Sequence, residues 1–412
     1  MQLTVGKGIQ KYCSECGAVS ADHWSVWVSS TLEIGISSLG APTRLSAFFS
    51  ACSRGFARLV APVLPPLFRA AEFLHVVSRN DDLEQACTKR SRAVWQEARL
   101  RGIPMQQFFV FGIPTEFFEA NIFGMMRIFY SLPIPPIYRA GTLWADDKHL
   151  LKQKFKEAGV AAPLSFSVST LHQASAALKQ LGTACVKPRT GSNGRHTFPH
   201  VSTSAELVKA FASAKKLCHW VAIEQHLEGN VGRATCVNGQ MIGFLESKYP
   251  TVVGDGSSTV RELVERENKN KPVRVEDIEI TPLHECYVER RGYTLDSVLE
   301  KGKMLPLVYW AGRLSGGRTW EHGTDIHPEL KKEIERAARL TKLPVVGFDL
   351  IIQNPKESPQ SQMWGIIEAN SLPWIDLHLE PLYGTPVHVA KHLWDLWEQP
   401  HTQKAPAIAE NF

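Results

Sequence analysis

Two strand-like runs near the C-terminal end constrain this chain most: Gly347-Phe348-Asp349-Leu350-Ile351-Ile352 and Trp364-Gly365-Ile366-Ile367-Glu368-Ala369-Asn370. Each embeds an oxygen ligand among apolar residues. Between them, Asn354-Pro355-Lys356-Glu357-Ser358-Pro359 predicts the turn of an antiparallel hairpin. Glu368 and Asn370 are two apart on a strand and point to the same face, where Asp349 can join them. A hard cation such as Mg²⁺ takes such a set: carboxylates, an amide oxygen, and positions left for phosphate and water. Acidic residues at strand ends facing water would leave the same local pattern, so the rest of the chain must decide.

Upstream, Ala184-Cys185-Val186-Lys187-Pro188 predicts a strand ending in a lysine, followed by Arg189-Thr190-Gly191-Ser192-Asn193-Gly194-Arg195-His196. Small residues let backbone N–H groups approach phosphate oxygens, and a lysine adds a compact positive charge. The order is not that of the P-loop, because the lysine precedes the glycines. Asp146-Asp147-Lys148 opens a predicted helix through Lys156 that ends at Gly159, with Pro163 beyond. Trp220-Val221-Ala222-Ile223-Glu224-Gln225-His226-Leu227-Glu228-Gly229 reads as an apolar strand running into a polar hinge suited to a purine edge.

In this order the elements resemble the ATP-grasp superfamily of carboxylate–amine ligases, over about residues 142–397. Within it, the likeness is greatest to the ATP-grasp part of cyanophycin synthetase. Val252-Val253-Gly254-Asp255-Gly256, Thr259-Val260-Arg261-Glu262-Leu263-Val264 and Gly292-Tyr293-Thr294-Leu295-Asp296-Ser297-Val298 match further signatures. So do Leu314-Ser315-Gly316-Gly317, His327-Pro328, His378-Leu379-Glu380-Pro381 and Gly384-Thr385-Pro386. The expected fold class is α+β / α/β, an ATP-grasp fold of two subdomains clasping ATP, preceded by an unassigned mixed N-terminal domain.

The resemblance implies roles position by position. Lys148 and Lys187 contact ATP phosphates, and Gly191, Ser192, Asn193 and Gly194 cover them as a flap. Glu224, Gln225 and Leu227 hold adenine at the hinge. Asp349, Glu368 and Asn370 bind one or two Mg²⁺ ions, or Mn²⁺. Arg233 and Arg313 face the transferring phosphate, although surface ion pairs would explain either arginine as well. Asp376 and His378 lie on the acceptor side. The implied reaction activates a carboxylate as an acyl phosphate and joins it to an amine, releasing ADP and phosphate. Its substrates are small-molecule or peptide carboxylates and amines. A small-molecule kinase or a regulatory nucleotide-binding protein with the same fold is the alternative.

Several residues depart from the pattern. Val231 stands where a ribose-binding acid is usual, with Glu228 the nearest substitute. His196 replaces a glycine of the flap and predicts a stiffer loop. Arg313 stands where asparagine is usual. Asp376 occupies a position that is arginine in the resembled enzymes, and an anion in place of a cation inverts a pocket's preference toward an ammonium group. Cyanophycin synthetase has a second ligase domain after its ATP-grasp part; this sequence ends soon after Trp397, so a single ligation is expected rather than polymer synthesis.

Expected boundaries are 1–140 for the N-terminal domain, read as a divergent pre-ATP-grasp domain, 141–400 for the ATP-grasp domain, and 401–412 for a tail. Residues 1–140 hold 14 Lys or Arg against 10 Asp or Glu, most of the net +5 of the 412-residue chain. Arginines and prolines interrupt the apolar tracts of residues 45–77, and no uncharged apolar run reaches the about 20 residues a membrane span needs. Nor is a leader peptide visible. Residues 82–101 predict an amphipathic helix, and Gln106–Gly112 and Met125–Tyr130 predict strands. Cys13-Ser14-Glu15-Cys16 is a single Cys-x-x-Cys with no second cysteine pair for a zinc ribbon. Eight scattered cysteines suit reduced thiols in the cytoplasm. The charge is too small for a nucleic-acid footprint. Trp364, Trp374, Trp394 and Trp397 read as core. A homo-oligomer is compatible with all of this.

Overall fold

In the computed structural model, the described residues are 13, 16, 22–39, 72–74, 76–136, 144–191 and 194–398. The chain divides into two units, one built from residues 1–51, 142–227 and 365–369, the other from 52–141, 228–364 and 370–412. The expected tail and the expected boundary near Ala140 lie outside the described residues, as do Ser192 and Asn193 of the flap.

The first unit is built on a four-stranded antiparallel sheet in the order Ser165–Val168, Val221–Gln225, Ala184–Pro188, Phe198–Val201. Alternation along the strands makes its two faces chemically different. Ala184, Val186, Val221 and Ile223 turn toward the helices Leu171–Leu181 and Ser204–Ala214 and form a core with Ala177, Leu207 and Ala210. Thr170 with Gln173, and Thr203 with Glu206, close capping boxes at the two helix starts. The intervening strand residues, Cys185, Lys187 and Glu224, belong to the opposite face. The register sets Cys185 beside Glu224 and Lys187 beside Ala222, so Lys187 and Glu224 are diagonal neighbours.

In the second unit, Asn230–Val237 pairs antiparallel with both Gln240–Ser247 and Val345–Ile352, and Gln240–Ser247 pairs on with Thr319–Glu321. Asn238 and Gly239 at φ 50° and 75° make the tight turn between the first two strands. A smaller layer packs the helices Val260–Asn270 and Pro282–Glu289 on the pair Thr251–Val253 and Met304–Pro306. The Val252–Gly256 signature is architectural here. A Cβ at Gly254 would lie 2.1 Å from the Glu300 carbonyl oxygen. Asp255 accepts from the Ser258 N–H (2.7 Å), the Arg266 guanidinium (2.8 Å) and the Ser257 N–H (2.9 Å), which hold its carboxyl far below the usual range.

Residues 77–130 form a four-stranded antiparallel meander, Val77–Asn80, Met105–Val110, Ile113–Ile122 and Met125–Tyr130, with the helix Lys89–Leu100. Trp95, Phe118 and Phe129 pack in one cluster with Ile375, Leu393, Trp394 and Trp397. The expected 1–140 segment is therefore divided, its residues 77–136 sharing a core with the C-terminal elements and its helix His23–Leu39 lying in the first unit. Trp394 and Trp397 are core as expected; Trp374 is 44% exposed and carries the Arg90 guanidinium 4.4 Å from its ring. No helix among the described residues is long and apolar enough to cross a membrane.

Candidate active site

The polar face of the first sheet carries a buried charge network. Glu224 is 1% exposed, and its carboxylate meets Lys187 Nζ at 2.8 Å and Lys152 Nζ at 2.8 Å. Lys152 is one turn beyond Lys148 on the helix Lys148–Glu157, whose start is capped by Asp147. Its ammonium also donates to the carbonyls of Lys148 (3.0 Å) and Ile367 (2.7 Å). Burial, aided by Lys187 and Lys148 and opposed by Glu224, lowers the Lys152 pKa to about 8. Burial works against the Lys187 ammonium too, but Glu224 outweighs it and raises its pKa. Burial would raise the Glu224 carboxyl, yet the two lysines hold it below the ordinary range.

Lys148 Nζ donates to the Gly191 carbonyl at 2.5 Å and lies 3.4 Å from Glu368. The loop after Lys187 is anchored where it begins. Arg189 is buried and forks onto Asp147, Nη2 to Oδ2 at 2.7 Å. Gly191 and Gly194, at φ 125° and 63°, take backbone conformations that a side chain would strain. Sequence reasoning thus found Lys148, Lys187 and Gly191 in one place. The Glu224 carboxylate, expected at the adenine hinge, has both oxygens facing lysines, and its side chain positions Lys187 and Lys152. Gln225 and Leu227 continue from that strand; Gln225 N donates to the Leu164 carbonyl at 2.8 Å, and Leu227 is buried.

In the second unit, Arg233 and Asp349 are direct cross-strand partners. Arg233 Nε donates to Asp349 Oδ1 at 2.6 Å and Nη2 to Oδ2 at 2.9 Å, a bidentate pair. Asn370 Nδ2 lies 3.5 Å from Asp349 Oδ2. Asn370 thus turns its amide nitrogen toward a carboxylate whose two oxygens Arg233 already holds; the Asp349 carboxylate and the Asn370 amide oxygen are hard donors of the type Mg²⁺ takes. Arg313 sits in the short turn Arg313–Ser315, and its side chain makes no hydrogen bond or ion pair among the described residues. Glu228 is exposed.

His378 is not available to a substrate. It is 0% exposed, with Nε2 2.7 Å from Thr235 Oγ1 and Nδ1 2.6 Å from Glu321 Oε2. Gly243 makes room for it: a Cβ there would lie 2.8 Å from His378 Nδ1. The expected substrate contact at His378 is therefore corrected to a core polar pair. Its neighbour Asp376 differs. It is half-buried, its Oδ1 has no hydrogen-bond partner, and burial raises its pKa despite Arg90 and Lys89 nearby. Arg90 is a residue sequence reasoning missed; it pairs with Glu116 at 2.7 Å and donates to the Leu372 carbonyl at 2.7 Å.

No family model matches the chain. The sequence is 28% identical over 267 residues to cyanophycin synthetase of Synechocystis sp., covering 62% of this chain and 30% of that protein. It is 26% identical over 220 residues to the glutathione biosynthesis bifunctional protein of Clostridium perfringens, covering 51% of this chain and 28% of the relative. The chain is similar to ATP-grasp carboxylate–amine ligases. It spans about a third or less of the length of these relatives. Among solved structures, a bifunctional glutathione synthetase from Pasteurella multocida superposes with TM-score 0.48 at 20% identity, over 75% of this chain and 43% of that one.

Proposed function

We propose that this chain is an ATP-dependent ligase that activates a carboxylate as an acyl phosphate and joins it to an amine. The observation that carries the reading is the buried Lys152–Glu224–Lys187 network beside Lys148 and the glycine loop. One carboxylate shared by two ammonium groups leaves an excess positive charge on a face otherwise sealed from water, which suits polyphosphate and costs stability without it.

A carboxylate is a poor electrophile because its leaving group would be oxide. Attack of its oxygen on the γ-phosphorus of ATP breaks the bridging P–O bond, expels ADP and makes a mixed anhydride. The amine nitrogen then adds to the carbonyl carbon, the tetrahedral adduct loses a proton and phosphate departs, leaving an amide. Such chemistry asks the protein for positioning and charge neutralisation rather than a nucleophile. Lys148 and Lys187 would hold phosphate oxygens, with Lys152 and Glu224 fixing the second of them. Gly191, Ser192, Asn193 and Gly194 would cover the reacting groups and exclude water. Gln225 and Leu227 would border the adenine.

Asp349, Glu368 and Asn370 would hold Mg²⁺, which supplies charge neutralisation at the phosphates when bound. Arg233 and Arg313 would face the transferred phosphoryl group, Arg233 being oriented by Asp349. Asp376, with an unpartnered oxygen, would take the ammonium of the acceptor. Domain 141–400 as the catalytic part and the cytoplasm as the site of action accompany this reading.

Hydroxylamine captures acyl phosphates, so the test is ADP release from Mg·ATP with pooled carboxylates in its presence. Hydroxamate formed with one pool supports carboxylate activation. ADP without hydroxamate from any pool would replace the ligase by a kinase.

A further inference from the structure

Three side chains close in sequence meet a fourth that lies 180 residues beyond Cys16, all in the first unit. Cys13, Cys16, His23 and His196 bring their ligand atoms all within 4.8 Å of one another. We propose that these four residues form a structural zinc site of the Cys2His2 type.

The local geometry builds the site from both sides. Cys16 N–H donates to the Cys13 carbonyl at 3.1 Å, which holds the two cysteines together. Asp22 caps the helix His23–Leu39 through the Ser25 N–H at 3.3 Å, which places His23 at its first turn. Cys16 Sγ then lies 3.2 Å from His23 Nε2 and 3.4 Å from His196 Nε2, and Cys13 Sγ lies 3.6 Å from His196 Nε2. A tetrahedral ion with Zn–S of about 2.3 Å and Zn–N of about 2.0 Å sets its sulfur and nitrogen ligands about 3.5 Å apart. The three separations bracket that value. The two imidazoles meet edge to face, centroids 4.9 Å apart, an arrangement in which both can point a nitrogen at one centre.

His196 carries a second, independent sign. Its Nδ1 lies 3.0 Å from the Ser213 carbonyl, which only accepts, and 2.8 Å from the Ser213 hydroxyl; the tautomer that donates Nδ1–H to this carbonyl presents the Nε2 lone pair toward the sulfurs. This is how metal-ligating histidines are oriented from behind. His196 also adopts φ 50°, a conformation that glycine fills more cheaply, so its backbone is held in place for the side chain. Two thiolates balance the charge of a divalent zinc ion, which suits a site where Cys16 and His196 are 3% and 1% exposed. A Cys13–Cys16 disulfide would leave the convergence of two Nε2 atoms without a purpose.

The ion would join the segment carrying Cys13, Cys16 and His23 to the far end of the loop that follows Lys187. That tethering bears on ATP only if the ligase reading holds; the metal site itself does not depend on it. The test is metal analysis of the full chain purified without chelator. One equivalent of zinc is expected, released when a mercurial titrates the thiols. Cobalt replacement should give the intense visible bands of a tetrahedral ion with thiolate charge transfer. Cys16→Ser and His196→Asn should each lose the ion, the second keeping a residue type tolerant of positive φ. A folded wild-type chain that binds neither zinc nor cobalt would overturn the proposal, as would a Cys13–Cys16 disulfide in protein isolated without reductant. Zinc retained in both variants would overturn it as well.

Discussion

Glu224→Gln is the perturbation that separates a buried, shared carboxylate from an ordinary surface pair. Glu224 holds Lys152 and Lys187 at 2.8 Å each, and the side chains are 2%, 2% and 7% exposed. Glutamine keeps the volume but leaves two adjacent buried ammonium groups with no anion. Breaking a buried pair by removing one partner costs about 3–5 kcal/mol. At about 1.4 kcal/mol per tenfold, the unfolding equilibrium shifts by about two to three and a half powers of ten. Urea denaturation of the full chain at neutral pH reads this directly. The double variant Lys152→Met with Glu224→Gln should recover part of the loss, because it removes one of the stranded cations. A loss under about 1 kcal/mol for the single variant is what an exposed pair gives, and it would refute the burial argument. A double variant no more stable than the single one would refute the charge argument.

Three further outcomes are expected. Lys152 ionises at about 8 when folded against 10.5 unfolded, so between those values the unfolded chain holds more protons and Lys152 makes stability rise with pH; Lys152→Met should remove that component from a pH series of denaturation curves. Asp376→Asn should leave stability at neutral pH unchanged or raised, since burial lifts its carboxyl above 3.8 and ionisation there opposes folding. The same change should raise the KM for the amine far more than for ATP, and should abolish a worsening of the wild-type amine KM as pH falls through the lifted value. His378→Ala should cost about 2–4 kcal/mol by opening a cavity and stranding Glu321, measured by thermal unfolding, while substrate KM values stay within about twofold.

Much of the frame was legible in the sequence because its signals are local. The helix expected from Asp146-Asp147-Lys148 through Lys156 forms as Lys148–Glu157, with Asp147 as its cap and Gly159 at φ 68° beyond. Met125–Tyr130 is a strand as expected, and the strand expected from Gln106 starts at Met105. The helix expected over 82–101 begins only at Lys89, because Asp82 caps a short turn of its own and Thr88 caps the helix. Lys152 escaped notice because a lysine on a helix reads as solvated, and only the sheet beneath it makes it buried. Glu224 and His378 were located, but not their partners, which lie 37 to 143 residues away. Of the two histidines beside the Cys-x-x-Cys, His196 escaped because it lies 180 residues from Cys16.

The central claim is that a substrate carboxylate is phosphorylated before the amine attacks. With the carboxylate that yields hydroxamate, labelling both its oxygens with ¹⁸O and analysing the phosphate released during amide formation tests it directly. An acyl phosphate predicts one ¹⁸O carried into each phosphate, because the bridging oxygen leaves with phosphorus. Phosphate without label would contradict the account.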